Sequence, residues 1–285
     1  MTRLNWRRAS SVLAVLALAG CGGGGEVVTT LHSDSFSPAA AVDSSGNPGV
    51  MRWTYRINGG NAIQTTQQGL TLSLTPSILA LTIDPATLER RGEFTSSVGG
   101  AASGSADARF TEQLEANPNR TLVTGQHIEF TGNLVAMGEA VTLRLDVRST
   151  PASPIEWFLD RTDLDTLPVG YVHEDKNVSA HATITIQVTG LGNRTFSNLA
   201  SQYDERWVIV GKQDSLAVNG KEYRNVVQVE RHTVEPDATI GAGQVTPVTI
   251  VYWVAKGVGM IRGVGQYRVM GQDLTVELVD TNLSP

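Results

Sequence analysis

A period-two alternation of apolar and polar residues runs through most of the chain after its first fifty residues, and it constrains the fold more than any other feature. In the stretch VTLRLDVRS, Val141, Leu143, Leu145 and Val147 share one face, while polar and charged residues occupy the other. The stretch ATITIQVT repeats this scheme over residues 182–189. A half-buried β-strand has this period, and Val, Ile and Thr suit its pleated surface. The pattern therefore predicts a body built of β-strands.

Turn residues between the predicted strands indicate that neighbouring strands are antiparallel. The pair Asn219-Gly220 separates two strand patterns and is typical of a two-residue hairpin, because both residues tolerate positive φ. Residues 57–62 and 270–273 have similar turn compositions. Links this short leave no room for the crossover connections that parallel strands need. We therefore expect an all-β fold, either a curved antiparallel sheet or an open β-barrel-like body.

Several stretches interrupt the strand pattern. Residues 85–91 and 197–206 fit short helical turns, and the small residues of 96–108 predict a flexible loop. The stretch STPASP holds two prolines and is the best boundary if the body has two domains. The sequence leaves both organisations open: one β-rich body over residues 50–285, or two stacked β modules that divide near residues 150–154.

Four glycines follow the apolar strand pattern VTIVYWVA near the end of the chain: Gly257, Gly259, Gly263 and Gly265. A dinucleotide-binding turn also follows a strand, but it needs the spacing G-x-G-x-x-G and opens a helix. Here the third glycine comes one residue late, and the residues after Gly265 alternate like strands and are too few for a βαβ unit. We interpret the four glycines as positions where strands bend or approach another backbone closely.

The first twenty residues form a targeting segment that stands apart from the fold. Arg3, Arg7 and Arg8 make its start basic, and the apolar core VLAVLALA spans only residues 12–19. A helix of that length rises about 12 Å, which is too short for a hydrocarbon layer of roughly 30 Å. Residues 1–20 are therefore predicted to be a cleavable signal peptide.

The tetrapeptide LAGC at the end of this segment resembles the lipobox of bacterial lipoproteins, which are acylated on the cysteine and cleaved just before it. The resemblance implies cleavage between Gly20 and Cys21, with a lipid such as palmitate on Cys21, the chain's only cysteine. Two or three acyl chains on one residue hold a protein stably at a membrane. In this family an Asp after the cysteine favours the inner membrane, so Gly22 implies an outer-membrane lipoprotein. Both the periplasmic and the surface face of that membrane remain open. Residues 21–49 are predicted to be a disordered tether.

The charge balance argues against two classes of partner. The chain has 22 basic and 28 acidic side chains, a net charge of −6, and loss of the three arginines in the signal peptide makes the remainder −9. A chain this acidic lacks a basic surface that would attract nucleic acids or anionic lipid headgroups. We expect no nucleic acid partner, and contact with the membrane through the acylated cysteine.

Three stretches in the C-terminal half carry a second resemblance. The stretch YWVAKGVGMIR, residues 252–262, resembles the C-terminal signature of uncharacterised bacterial lipoproteins, and residues 208–231 are similar to the segment that precedes that signature. LPVGY, residues 167–171, is similar to the start of these domains. The resemblance covers about residues 155–285 and implies a highly curved antiparallel sheet, loosely similar to outer-membrane lipoprotein carriers and insertion factors. It implies no catalytic residues.

Candidate clusters for metal or catalytic chemistry match no established spacing. His173, Glu174, Asp175 and His181 lie close in sequence, but they fit no zinc pattern. The run DRTDLD, residues 160–165, lacks the alternating acids and the glycine of a calcium loop. No G-x-S-x-G motif is present, and tryptophans in apolar strands are typical of core packing. We predict no metal, no cofactor and no catalytic residue.

The anchor, the tether and the curling strands favour a non-enzymatic envelope lipoprotein whose curved sheet binds a lipid, another apolar ligand or a peptide. The alternative is a structural or assembly module whose sheet edge pairs with another envelope protein. An enzyme is the third and weakest hypothesis, because the sequence contains no recognisable catalytic motif. A hollow concave side would favour the carrier, and an interior filled by its own side chains would count against it.

Overall fold

The structure is a computed structural model that describes residues 31–32, 35–37, 41–43, 45–67, 70–117, 119–136, 138–189, 192–236, 245–267 and 272–284. Apart from two 3₁₀ turns, Asn58–Gly60 and Phe158–Asp160, the regular elements in these ranges are strands. The strands are β1 (Leu31–His32), β2 (Met51–Ile57), β3 (Ile63–Gln67), β4 (Leu70–Asp84), β5 (Glu89–Gly100), β6 (Ala102–Asn117), β7 (Arg120–Ala136), β8 (Glu139–Pro151), β9 (Ile155–Glu156), β10 (Val172–Val188), β11 (Gly192–Val218), β12 (Lys221–Pro236), β13 (Val245–Ala255), β14 (Gly259–Tyr267), β15 (Gln272–Thr281) and β16 (Leu283–Ser284). No helix in these ranges is long and apolar enough to span a bilayer.

Twelve of the strands close into an antiparallel β-barrel. The order around the ring follows the sequence from β4 to β15, with β9 left out, and β2 closes the ring by pairing with β15 and β4. β3 pairs with the first part of β4, and β9 pairs with β7. The short strands β1 and β16 pair with each other in parallel. The predicted all-β antiparallel fold is confirmed, and the sheet curls far enough to close on itself.

Strands on both sides of the proline-containing stretch belong to this one sheet. β8 ends at Pro151 and pairs with β7 and β10. The link 152–171 carries β9 and the second 3₁₀ turn. Residues 150–154 are thus the place where the chain leaves the barrel wall before it returns as β10.

Two stretches that the sequence pattern assigned to other structures are strands. The helical turn predicted for 197–206 is wrong, because these residues lie inside β11 and pair with β10 and β12. The loop predicted for 96–108 is also wrong, because these residues end β5 and begin β6 around Ala101. Small side chains such as Ala106 and Ala108 are buried there, and they conceal the apolar alternation that marks the other strands.

The predicted turns had different outcomes. The hairpin at Asn219-Gly220 is confirmed, since these residues have φ of 48° and 77° and join β11 to β12. Residues 57–62 do not make a hairpin, because β2 and β3 both run antiparallel to β4 and are not paired with each other in the described sheet. Residues 270 and 271 lie outside the described residues, although β14 and β15 on either side pair as a hairpin.

The barrel has two unlike ends, which we call lower and upper. The lower end, where β2 begins, carries the long link 152–171 and the Asn219-Gly220 turn. The upper end carries the turns around Ala101 and Gly138. Phe36, from the N-terminal stretch, is buried at the lower end among residues of the long link.

The closing strand β2 is held from inside the barrel. Met51, Trp53, Tyr55 and Ile57 face the core in alternation, and none is more than 2% exposed. The Trp53 Nε1–H donates to the carbonyl oxygen of Val258 at 2.6 Å. A buried indole N–H needs such an acceptor, so this bond fastens β2 to the turn after β13.

Candidate functional site

An apolar wall lines the upper part of the barrel interior, on the neighbouring strands β7, β8, β10 and β11. Its members, which we call the apolar wall, are Leu134, Val141, Leu143, Ile184, Val188 and Phe196. Leu143 pairs with Val188, and Ile184 pairs with Phe196. Directly paired residues point to the same face of a sheet, so the register places these side chains together.

This face is the inside of the barrel. Leu145, two residues from Leu143 on the same face of β8, begins a row of paired residues that crosses the sheet strand by strand. The row runs through Leu145, Phe130, Ala108, Phe94, Leu79 and Tyr55. Tyr55 lies on the closing strand β2 and belongs to the buried hydrophobic core. The apolar wall therefore continues the core toward the upper end.

Exposure differs between the two ends of this interior. The aliphatic members of the wall are only half-buried, and Phe196 is 37% exposed. At the lower end, Trp207, Val229 and Phe158 are fully buried. Eight strands make a barrel that its own side chains fill, and the interior widens as strands are added. Twelve strands therefore need extra material inside, and the described residues supply it mainly at the lower end.

The link 152–171, which we call the plug, is that material. The Phe158 ring stacks on Trp207, Tyr171 and His173, with ring centroids 5.7, 6.2 and 5.5 Å away. The backbone N–H of Trp157 donates to the Thr121 carbonyl at the edge of the barrel, at 3.1 Å. The plug is thus packed through its aromatic side chains and hydrogen-bonded through its backbone.

Two arginines flank Trp157 of the plug. The guanidinium carbons of Arg90 and Arg231 lie 5.1 and 5.7 Å from the centre of the Trp157 ring, which is within cation–π range. Arg231 also pairs with the carboxylate of Glu205. Burial by itself lowers the pKa of Arg231, but the nearby Glu205 carboxylate outweighs burial, so the pKa is raised and the side chain stays charged.

Arg90 ties the plug to the barrel. Its Nε–H donates to Glu112 of β6 at 2.7 Å, and its Nη1–H donates to Asp160 of the plug at 3.3 Å. Burial raises the pKa of Asp160 to about 6, while Arg90 acts to lower it and Glu112 to raise it. Breaking a buried pair by removing one partner is far more costly than the pair's net contribution. The network therefore fixes where the plug sits.

The chemistry of the upper interior suits an apolar ligand. Covering the wall would contribute about 25 cal/mol for each Å² of apolar surface removed from water. Arg90 and Arg231 lie at the plugged end and already face carboxylates. Arg194, which pairs with the inward-facing Ile186 and lies two residues from Phe196, is the cation beside the wall. A hydrocarbon chain fits the wall, and Arg194 beside it can pair with an acidic headgroup.

The structure places the predicted glycines in one hairpin. Gly257 and Gly259 have φ of 78° and 89° in the turn between β13 and β14, and Gly259 begins a strand, not a helix. Gly263 and Gly265 lie within β14. A Cβ at Gly265 would lie 2.7 Å from Cγ1 of Ile250, so β13 and β14 approach closely there. Cys21 and Gly20, the predicted lipid attachment and cleavage residues, lie outside the described residues.

The histidine and acidic residues weighed as zinc ligands do not converge. His173 Nε2 lies 3.0 Å from Asp175, and Glu174 pairs with Arg206 of β11. His181 lies eight residues along β10 from His173, a separation of about 26 Å in a strand. His173 and Asp175 therefore share one ion pair, while Glu174 and His181 lie apart from it.

The acids weighed as a calcium loop are also divided among basic partners. Asp163 accepts hydrogen bonds from Arg161, and Asp165 pairs with Lys256 at 2.6 Å. Asp160 points inward to the arginine network described above. Asp160 and Asp165 tie the plug to the barrel, whereas Asp163 pairs within the plug, so the three carboxylates do not form one site.

Neither a family model, nor a curated protein, nor a solved structure matches this chain. The resemblance to bacterial lipoproteins in the sequence therefore stays a prediction. What can be concluded about function rests on the geometry of the barrel.

Sequence reasoning found the wall residues of β8 and β10 but missed the plug and its arginines. Arg90 and Glu112 occupy inward positions of β5 and β6, where the alternation calls for apolar residues. A charged residue at the inward position of a strand was the available signal, because buried charges require partners. The sequence gives no register between strands, so that pairing was not visible.

Proposed function

We propose that this protein is a non-enzymatic lipoprotein of the cell envelope that binds a lipid or another apolar ligand inside the upper half of its barrel. One observation carries the proposal: the apolar wall faces inward and stays partly exposed, while the lower half of the same interior is filled by the plug. A ligand on the wall would complete the core that the chain leaves unfinished.

The envelope location rests on the N-terminal sequence. The basic start, the short apolar core and the LAGC tetrapeptide support acylation of Cys21, and Gly22 supports the outer membrane. Lipid anchoring would concentrate the barrel beside a source of apolar ligands. The fold supports this function because β-barrels of sufficient width enclose ligands.

Lipid content of the purified protein tests the ligand. The full-length chain with Cys21→Ser, which removes the attachment thiol, is purified, extracted with organic solvent and analysed by mass spectrometry. Leu143→Trp fills the interior from the wall, and Arg144→Trp adds the same ring on the exposed outer face of the same strand. We expect bound lipid in the parent and in Arg144→Trp, and about tenfold weaker retention in Leu143→Trp, a change of about 1.4 kcal/mol.

Circular dichroism of both variants shows that the barrel is intact, and Leu143→Gln gives a second, smaller change at the same position. A parent protein that comes out empty, and takes up no fatty alcohol or phospholipid on addition, would contradict ligand binding. Equal lipid retention in folded Leu143→Trp and Arg144→Trp would place any lipid elsewhere.

An assembly module is the second candidate, and one feature favours it. β3 is the last strand of the described sheet order and pairs only with β4 there, which leaves its other edge available for strand addition by a partner. Crosslinking in intact cells separates the two functions. One dominant protein partner, retained by Leu143→Trp, would favour assembly over lipid binding.

A further inference from the structure

We propose that the outer face of the barrel carries a zinc-binding site formed by His127, Glu129 and Asp146. One ligand atom from each of these side chains lies within 4.8 Å of those of the other two. In the described part of the chain, no other three histidine, cysteine or acidic side chains come together this closely. The sequence predicted no metal site, so this inference comes from the tertiary structure, and it does not depend on ligand binding inside the barrel.

Strand register creates the cluster. His127 and Glu129 are two residues apart on β7 and therefore point to the same face. Asp146 of β8 pairs directly with Glu129, and side chains of directly paired residues are neighbours. Ile128, between the two β7 residues, is buried in the interior, which puts the cluster on the outside.

The donor set suits zinc. A neutral imidazole nitrogen and carboxylate oxygens bind Zn²⁺ at about 2.0–2.2 Å, which puts the ligand atoms of a tetrahedral site roughly 3.3 Å apart. His127 Nε2 and Asp146 Oδ2 are already 2.9 Å apart, and the exposed Glu129 can rotate toward them. Three protein ligands leave the fourth position to water, as in open zinc sites.

The charge of the cluster also favours a cation. Glu129 and Asp146 bring two carboxylates together across the strand pair, and the described ion pairs include none for Glu129. Arg109, directly opposite Glu129 on β6, pairs with Glu93 at 3.6 Å. Arg148 pairs with Asp146, with its Nε 3.3 Å from Oδ1, and its side chain is 70% exposed. An exposed pair of this kind contributes about 0–1 kcal/mol, so Zn²⁺ can displace it.

Two members of the cluster, His127 and Glu129, line a groove on the outer face. The groove has a volume of about 560 Å³ and is formed by β5 to β8. It is lined by charged and polar side chains, including His127, Glu129 and Arg148. A bound ion would therefore remain open to solvent on its groove side, with room for the water ligand.

Zinc titration with a matched histidine control tests the site. The full-length chain with Cys21→Ser, so that no thiol competes, is titrated with Zn²⁺ by calorimetry. His232 is the control because it pairs with Glu230 at 2.9 Å, the same distance as His127 and Asp146. Among the described residues, no third histidine, cysteine or acidic side chain comes close enough to complete a site there. We expect one Zn²⁺ per chain, about tenfold or greater weakening in His127→Ala, and no change in His232→Ala.

Two further variants sharpen the result. Asp146→Asn should weaken binding like His127→Ala, whereas Arg148→Gln should strengthen it severalfold, because a competing cation is removed. Co²⁺ in place of Zn²⁺ should give the visible absorption of a four- or five-coordinate ion in the parent and not in His127→Ala. Absence of saturable binding, or equal weakening by His127→Ala and His232→Ala in folded proteins, would overturn the proposal.

Discussion

Arg90 is the residue on which the packing of the plug most directly depends. It is 5% exposed, and it keeps its charge in the interior because Glu112 and Asp160 both accept from it. The same guanidinium lies over the Trp157 ring. A buried charge without its partners costs about 3–5 kcal/mol. Moving the plug would separate Asp160 from Arg90, so few alternative positions of the plug are stable.

Asp160 gives this network a pH dependence with a definite sign. Burial raises its pKa in the folded protein to about 6, against an ordinary value of 3.8. Between these values the folded protein holds a proton that the unfolded chain releases, so this group's contribution to stability falls as the pH rises from about 4 to 6. Above that window the contribution stays constant.

We expect the difference in free energy of unfolding between the parent and Asp160→Asn to fall across the same window. Urea denaturation of both proteins at a series of pH values from 4 to 7 measures it. The other carboxylates cancel in the difference, because both proteins contain them. A difference that does not change with pH would show that Asp160 titrates normally.

Among the elements, the plug determines which part of the barrel interior is filled by protein side chains. Two hydrophobic clusters fill the lower part of the interior, and one of them extends to Ile57 and Leu274 on the β2 and β15 side. The plug supplies Phe158, Leu159 and Leu164 to the other. No comparable segment reaches the apolar wall in the described structure. The plug thus packs one end of the interior, whereas the apolar wall toward the other end stays partly exposed.

Truncation of the plug's central side chain should destabilise the whole barrel. Phe158 is fully buried and makes three ring contacts, so we expect Phe158→Ala to lower the free energy of unfolding by about 3–5 kcal/mol. Val169, in the same link but 58% exposed, is the control, and Val169→Ala should change stability by about 0.5 kcal/mol or less. Chemical denaturation measures both. Similar small effects would mean that the plug is not part of the cooperative core.

For the molecule as a whole, the N-terminal segment enters at the plugged end. Phe36 is buried in the same cluster as Phe158, and the Gly257 N–H donates to the Ser35 carbonyl at 2.9 Å. Cys21 lies about fifteen residues before Phe36, so it reaches at most about 50 Å from this end. With Cys21 acylated as proposed, the plugged end is the one tied to the membrane, and the apolar wall opens at the other end.

Fractionation of cells tests the anchor. We expect Cys21→Ser to move the protein from the membrane fraction to the soluble fraction, because no other acylation site of the lipobox type is present. Gly22→Asp keeps the cysteine, and by the lipoprotein resemblance it should retain the protein at the inner membrane. Unchanged membrane association of Cys21→Ser would contradict the anchor without bearing on the barrel interior.

The parts of the fold that follow from near neighbours were predictable. The alternation in 141–148 and 182–189 correctly identified two strands and the side chains that share a face, including Leu143 and Ile184 of the apolar wall. Asn219-Gly220 correctly marked a hairpin. The prediction for residues 96–108 was wrong because small inward-facing residues weaken the alternation there. The plug was not predicted because its polar residues have their partners on distant strands.

The chain's local pattern was sufficient for the all-β class and the inward or outward facing of many side chains, because period and turn geometry depend only on residues a few positions apart. Closure of the ring, division of its interior by the plug and assembly of the His127–Glu129–Asp146 cluster were decided by tertiary structure. The bond from Trp53 to Val258 joins residues 205 positions apart, and the cluster depends on the register between β7 and β8. Such contacts are made by the packing of whole strands, and no local periodicity encodes them.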